Sequence, residues 1–337
     1  MREITEKEIE SLNLSSKDII DALRNEFEEY GKGAVKNDPV EKVSDKIEGS
    51  KKVITILTKA HDAKYQLDKK IEETWEGNKK TDRQTIVTLR SKEGEEIFRY
   101  NGEYITNART GASAALVASY LIPKNIPRNS LIVAIIGTGK VASKVVESID
   151  ELLSPGTIRF GTSNEASKER FANYIRGINK KVKVEGYLLY QEDKLYESEV
   201  QKLLNGAHVL IIADKLATKI GDKEKLLPLP YRLITKMHPS RHISALSGDA
   251  QQNNFEKEVL FDSWMVFDDL EKAKKTAEVR LLSQSEFGRL KIIGNVGDVV
   301  LEKGDIHRSD PTFYDSSGMG ISDLTIAKLI AKYLKLI

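Results

Sequence analysis

The chain has 337 residues, enough for two domains and for a core that needs no covalent staples. It contains no cysteine, which excludes disulfides, thiolate catalysis and Cys-based zinc sites and fits a cytoplasmic protein. The 53 basic and 51 acidic residues leave a net charge of +2, with both signs interspersed, so no nucleic-acid-binding stripe is expected.

No apolar run approaches the roughly 18 residues of a membrane span. The opening Met1-Arg2-Glu3-Ile4-Thr5-Glu6 lacks the apolar stretch of a signal peptide. Residues 15–30 predict a helix, capped by Ser15 or Ser16, with Ile19, Ile20, Leu23 and Phe27 at helical spacing. The polar stretch 31–80 gives no clear period. Thr85–Leu89 and Glu96–Tyr100 alternate around a Lys92-Glu93-Gly94 turn and predict a hairpin. Residues 112–121 predict a small-residue helix.

From residue 130 strands and helices alternate. Strands are expected at 131–136, 157–160, 183–189, 208–213 and 242–246, with helices at 141–153, 166–178 and 198–204. Such alternation means an α/β fold, a doubly wound parallel sheet with helices on both faces. A last helix is expected at 321–336, with Asp315-Ser316-Ser317-Gly318 as the loop and N-terminal cap before it.

The loop between strand 131–136 and helix 141–153 reads Gly137-Thr138-Gly139-Lys140-Val141-Ala142. Gly137 permits a tight turn, Gly139 lets backbone approach a pyrophosphate, and Ala142 lets helix and strand pack closely. The helix N-terminus adds free amides and a positive dipole end. This context predicts a nicotinamide dinucleotide site, with the phosphates on residues 137–141.

NAD enzymes usually carry Asp or Glu at the end of the next strand, where it holds the ribose 2′-hydroxyl. Here Gly161-Thr162-Ser163-Asn164 follows, then Glu165, Lys168 and Arg170. Thr162 and Ser163 are small and polar, so NADP is expected before NAD, with NAD possible. The five histidines show no metal-ligand spacing: His238 and His242 are four apart, but Pro239 lies between them, and no metal is expected.

Three stretches together resemble the ornithine cyclodeaminase/mu-crystallin family. They are Ile105-Thr106-Asn107-Ala108-Arg109-Thr110-Gly111-Ala112, the glycine loop, and Gly294-Asn295-Val296-Gly297-Asp298 followed by Phe313-Tyr314-Asp315-Ser316-Ser317-Gly318 through Asp323. The resemblance implies a dinucleotide domain (121–311) inserted into a substrate and dimerisation domain (1–120 plus 312–337), and a homodimer. It also implies chemistry on a carbon–nitrogen bond beside a carboxylate: cyclodeamination, ketimine reduction or amino-acid dehydrogenation. The alternatives are an opine-type or N-(2-amino-2-carboxyethyl)-glutamate dehydrogenase-like enzyme, and a protein that binds NADP and a small ligand without turnover.

The resemblance also implies site residues. Arg109 would hold the substrate carboxylate through its guanidinium fork, while Thr110, Gly111 and Ser317 lie near the cofactor. Lys70, eight residues before Asn78, would bind the carboxylate or relay a proton; its neighbour Lys69 is an alternative counterpart. Lys42 falls near the family's first substrate arginine. Asp249, after Ser247-Gly248, would handle the nitrogen-side proton. The family's Pro-Gly-Lys after that aspartate is missing here, where Ala250-Gln251-Gln252-Asn253 stands, and its Met-Pro-Ala stretch is Leu57-Thr58-Lys59-Ala60.

Overall fold

A computed structural model describes residues 2–37, 41–48, 51–76, 79–189, 196–214, 217–220, 223–226, 228–246 and 254–337, with backbone alone at 41–48, 79–80, 217–220 and 223–226. The chain forms two units, one of Met1–Arg109 with Met319–Ile337 and one of Thr110–Gly318 inserted between them.

The first unit is built on a sheet of β1 (Arg2–Ile4), β2 (Lys36–Asn37), β3 (Glu41–Glu48), β4 (Lys51–His61), β5 (Tyr65–Glu76), β6 (Lys79–Ser91) and β7 (Glu96–Asn101). Their order is β1-β7-β6-β5-β4-β2, with β3 also paired to β4. The predicted hairpin is β6–β7, with Val87 opposite Tyr100. The stretch without a clear period becomes long antiparallel strands. Their alternation is masked because charged residues face each other across strands: Lys51 lies opposite Glu76 and bonds it at 3.1 Å.

Helices α1 (Glu6–Ser11) and α2 (Ser16–Gly31) lie between β1 and β2 in the chain, and the Ser15 hydroxyl caps α2 by accepting from Asp18 N. The helix Gly320–Tyr333 packs on α2 and on β4–β6. Residues 320–327 of this helix are all buried, polar Ser322, Asp323 and Thr325 included. In this enclosed part Asp323 bonds Lys69 at 3.1 Å, and the Thr325 hydroxyl donates to the Ile321 carbonyl at 2.9 Å.

The inserted unit contains α3 (Tyr104–Leu121, which begins in the first unit), β8 (Ile132–Ile136), α4 (Lys140–Leu153), β9 (Thr157–Thr162), α5 (Glu165–Ile178), β10 (Lys183–Leu188), α6 (Tyr196–Leu204) and β11 (Val209–Ile212). There follow the small hairpin β12 (Ala217–Ile220) and β13 (Lys223–Leu226), then α7 (Tyr231–Ile234), β14 (His242–Ala245), α8 (Lys257–Asp262), β15 (Trp264–Phe267), α9 (Leu270–Thr276), α10 (Gln284–Phe287), β16 (Lys291–Asn295), α11 (Val296–Val300) and β17 (Thr312–Asp315).

Eight strands make one parallel sheet in the order β10-β9-β8-β11-β14-β17-β15-β16. Alternate residues serve opposite faces. Val133, Ile135, Val209 and Ile211 pack with apolar residues of α3, α4 and α5. Ala134, Ile136, Leu210 and Ile212 pack on the other face with residues of α6 to α9. This is the doubly wound α/β sheet that the alternation predicts.

Two expectations differ from what is observed. The boundaries at 120/121 and 311/312 move outward, because Ala114, Ala115 and Ala118 lie in the core of the inserted unit and β17 is hydrogen-bonded between β14 and β15. Residues 315–318 do not cap the last helix. Its N-cap is Met319, with no side-chain bond, while Asp315 ends β17. Among the described residues no helix is long and apolar enough to cross a membrane.

Candidate active site

The glycine loop leaves β8 at the point where neighbouring strands diverge in chain order, β9 on one side and β11 on the other. Ligands of such sheets bind beyond the carboxyl ends of the strands at this switch. The two glycines serve different needs. Gly137 has φ +112°, and an added Cβ would lie 2.8 Å from Asp214 Cβ, so the fold itself requires it. Gly139 has φ −84° and open space where a Cβ would stand. Among the described residues nothing demands that glycine.

As N-cap of α4, Gly139 gives no side-chain hydrogen bond to the first turn. Gly139 thus puts bare backbone at the start of α4, where the helix dipole is positive, an arrangement that fits a pyrophosphate. Ala142 is fully buried, and an added Cβ on Gly111 would lie 2.6 Å from Val145 N, so α3 and α4 pack closely.

At the end of β9 the Thr162 and Thr138 hydroxyls are 3.3 Å apart, and Ser163 is exposed. Asn164 Oδ1 caps α5 by accepting from Ser167 N, and Glu165 pairs with Lys168 at 3.1 Å. Among the described residues no carboxylate stands at the strand tip itself.

In the first unit, Lys69, Thr106, Arg109 and Asp323 come together. Lys69 Nζ is 3.1 Å from Asp323 Oδ2 and 2.5 Å from Thr106 Oγ1. Arg109 Nε donates to the other oxygen, Asp323 Oδ1, at 3.2 Å. The Lys69 and Asp323 side chains are each 3% exposed, and that of Arg109 is 13% exposed. Burial by itself pushes the Asp323 carboxyl up, but the Lys69 ammonium and the Arg109 guanidinium outweigh it and hold the group below the usual carboxylate range.

Lys70, the lysine named from sequence, is not part of this cluster. Successive residues of a strand face opposite ways, and Lys70 is 43% exposed and pairs with Glu72 at 2.9 Å. The backbone of Lys42 lies in β3 opposite Ile56, and its side chain lies outside those described. Asp249 and Asn78 also lie outside the described residues. Thr110 is buried. The Ser317 hydroxyl is turned inward, donating to Asp268 Oδ1 at 2.7 Å. Asp268 also accepts from Ser317 N at 2.9 Å, Ser316 Oγ at 3.0 Å and Gly318 N at 2.6 Å.

Asp323 has no role assigned from the sequence, and Lys69 stands there only as the alternative to Lys70. The signal for Asp323 was present as the last residue of the third family-like stretch. Among the described residues no group of acids or histidines is placed to hold a metal ion.

Sheet and loop together define a dinucleotide-binding α/β protein, and the comparisons carry this further. The chain belongs to the ornithine cyclodeaminase/mu-crystallin family, whose profile matches residues 3–335. It is an enzyme of that family's NAD(P)-dependent oxidoreductase type. It is 24% identical over 250 residues to alanine dehydrogenase of Archaeoglobus fulgidus, covering 73% of this chain and 69% of the relative. It is 25% identical over 247 residues to ketimine reductase mu-crystallin of Macropus fuliginosus, covering 73% and 68%.

Solved structures share the fold. The iminosuccinate reductase of Paracoccus denitrificans in complex with NAD+ superposes with a TM-score of 0.79 at 18% identity, covering 99% of this chain and 96% of that one. An archaeal alanine dehydrogenase dimer with bound NAD gives 0.78 at 20% identity, with the same coverages.

Proposed function

We propose that the protein interconverts an α-imino acid, open-chain or cyclic, and the corresponding amino acid, with NADP as the preferred dinucleotide. The observation that carries this reading is the buried Lys69–Asp323–Arg109 cluster. Among the described residues Arg109 bonds only through Nε. Its terminal nitrogens therefore remain available for bidentate binding of a carboxylate. That grip fixes the adjacent carbon, the one at which a carbon–nitrogen bond is reduced or oxidised. The bound dinucleotide supplies the hydride chemistry.

Lys69 replaces Lys70 in this scheme as the second cation of the carboxylate site. Asp249 is the proposed proton-handling group at nitrogen. The missing carboxylate at the tip of β9, with Glu165 already paired to Lys168, supports room for a 2′-phosphate. A homodimer is the proposed assembly, by analogy with the dimeric archaeal relative; light scattering on the purified chain tests it.

The functional test follows absorbance of the reduced dinucleotide with a panel of cyclic imino acids, and of 2-oxo acids supplied with ammonia. Turnover on at least one of them, faster with NADPH than with NADH, is expected. NADPH binding without turnover on any would instead favour a binding protein.

A further inference from the structure

The carboxylate grip proposed for Arg109 depends on where its guanidinium points, and the structure shows what sets that direction. A guanidinium has two edges able to take a carboxylate: the side edge that includes Nε, and the end formed by Nη1 and Nη2. Asp323 occupies the side edge through Nε at 3.2 Å, and among the described residues nothing bonds the end. The same carboxylate holds Lys69 with its other oxygen at 3.1 Å.

Asp323 is itself held firmly. It stands in the first turn of the helix Gly320–Tyr333, where a negative charge meets the positive end of the helix dipole. That turn is locked to the sheet. Gly320 N donates to Asn37 Oδ1 at 2.8 Å, and an added Cβ on Gly320 would lie 2.7 Å from the Lys59 carbonyl oxygen. On the opposing side, Thr106 and Arg109 are three apart on α3, so they share one face of that helix. Thr106 accepts from Lys69 while Arg109 donates to Asp323.

We propose that Asp323 is the positioning residue of the carboxylate site: it pins Arg109 by Nε and Lys69 by Nζ so that the Nη1/Nη2 end of Arg109 meets a single substrate carboxylate. Asp323 touches neither substrate nor dinucleotide in this scheme. The inference rests on the carboxylate-anchor reading above.

The test uses the full chain saturated with NADPH and two probes, pyrrole-2-carboxylate and its uncharged carboxamide, with dissociation constants measured by calorimetry. A charge-assisted bidentate contact is worth about 1.5–3 kcal/mol, so the wild type is expected to prefer the carboxylate by about tenfold or more. Asp323→Asn should keep NADPH affinity within about twofold and reduce that preference to less than about threefold, having lost one charged contact of this size. Asp323→Glu keeps the charge but displaces the carboxylate by one methylene, and should show the same loss; it decides the matter if the Asn variant fails to bind NADPH.

Arg109→Lys has no Nε to pin. In that background Asp323→Asn should change the preference by less than it does in the wild type, since only its hold on Lys69 is left to lose, the non-additivity of a coupled pair. Asn and Glu variants that bind NADPH and retain the wild-type preference would overturn the positioning role, as would effects of Asp323→Asn and Arg109→Lys that simply multiply. Absence of any preference in the wild type, or a preference that survives Arg109→Ala, would instead overturn the carboxylate-anchor reading.

Discussion

The two loop glycines make a paired prediction in which folding and binding separate. Gly137→Ala forces a side chain onto a backbone at φ +112° and brings its Cβ to 2.8 Å from Asp214 Cβ. Strain of this kind costs about 1–3 kcal/mol, and at about 2–4 °C per kcal/mol the melting temperature should fall by several degrees. Gly139→Ala meets no atom within 4 Å and has φ −84°. Its apo melting temperature should hold or rise slightly, since replacing an unstrained glycine by alanine gains about 0.4–1 kcal/mol.

Binding should reverse that ranking, because the new methyl occupies the space that a pyrophosphate needs. With NADPH at 100 times the wild-type dissociation constant, the ligand stabilises the wild type by about 2.7 kcal/mol. A hundredfold weaker variant at the same concentration would gain only about 0.4 kcal/mol. Differential scanning fluorimetry with and without NADPH reads both quantities. A Gly139→Ala protein with an undiminished NADPH shift would remove the phosphate from this loop; a Gly137→Ala protein as stable as the wild type would refute the steric account.

Arg109→Ala should reduce turnover at least about a hundredfold through loss of a positioning contact, with NADPH affinity unchanged in fluorescence titration. The neighbouring lysines should behave differently: Lys69→Met should depress kcat/KM at least about tenfold by removing a buried cation, whereas Lys70→Met, on the exposed face, should leave it within about twofold. His242 is fully buried between Thr312 Oγ1 and Ser244 Oγ, each 2.9 Å away, and burial pushes it from 6.5 down to about 3. Between those values the unfolded chain binds the extra proton, so stability falls with acidification by up to about 1.4 kcal/mol per pH unit. His242→Gln should flatten the slope of unfolding free energy against pH by about one proton over that range.

The dinucleotide half of the molecule was legible because its signals are local. A six-residue apolar run, two glycines and an amphipathic helix stand in direct succession. The first sheet was not legible at 31–80, because cross-strand partners such as Lys51 and Glu76 put charges where an apolar period would otherwise show. That gap had a chemical consequence: without an assigned strand there is no parity, and parity alone separates buried Lys69 from exposed Lys70. The short strands β15, β16 and β17 lack the intervening long helices that made the earlier alternation visible. Asp323 became interpretable only when the fold returned its helix to β5 and α3.

The contact between Arg109 and Asp323 joins residues 214 positions apart, and the entire inserted unit is synthesised between them. A ribosome therefore completes the dinucleotide sheet before it has made the acid that aims the substrate anchor. Closing so long a loop is entropically slow, so during refolding the capacity to bind NADPH should appear before the capacity to tell a carboxylate from its amide. A chain broken anywhere in 319–322 would keep every strand of the inserted sheet and lose Asp323. Proteolytic trimming from that end would then yield a species that still binds the dinucleotide but has lost its aimed grip on substrate.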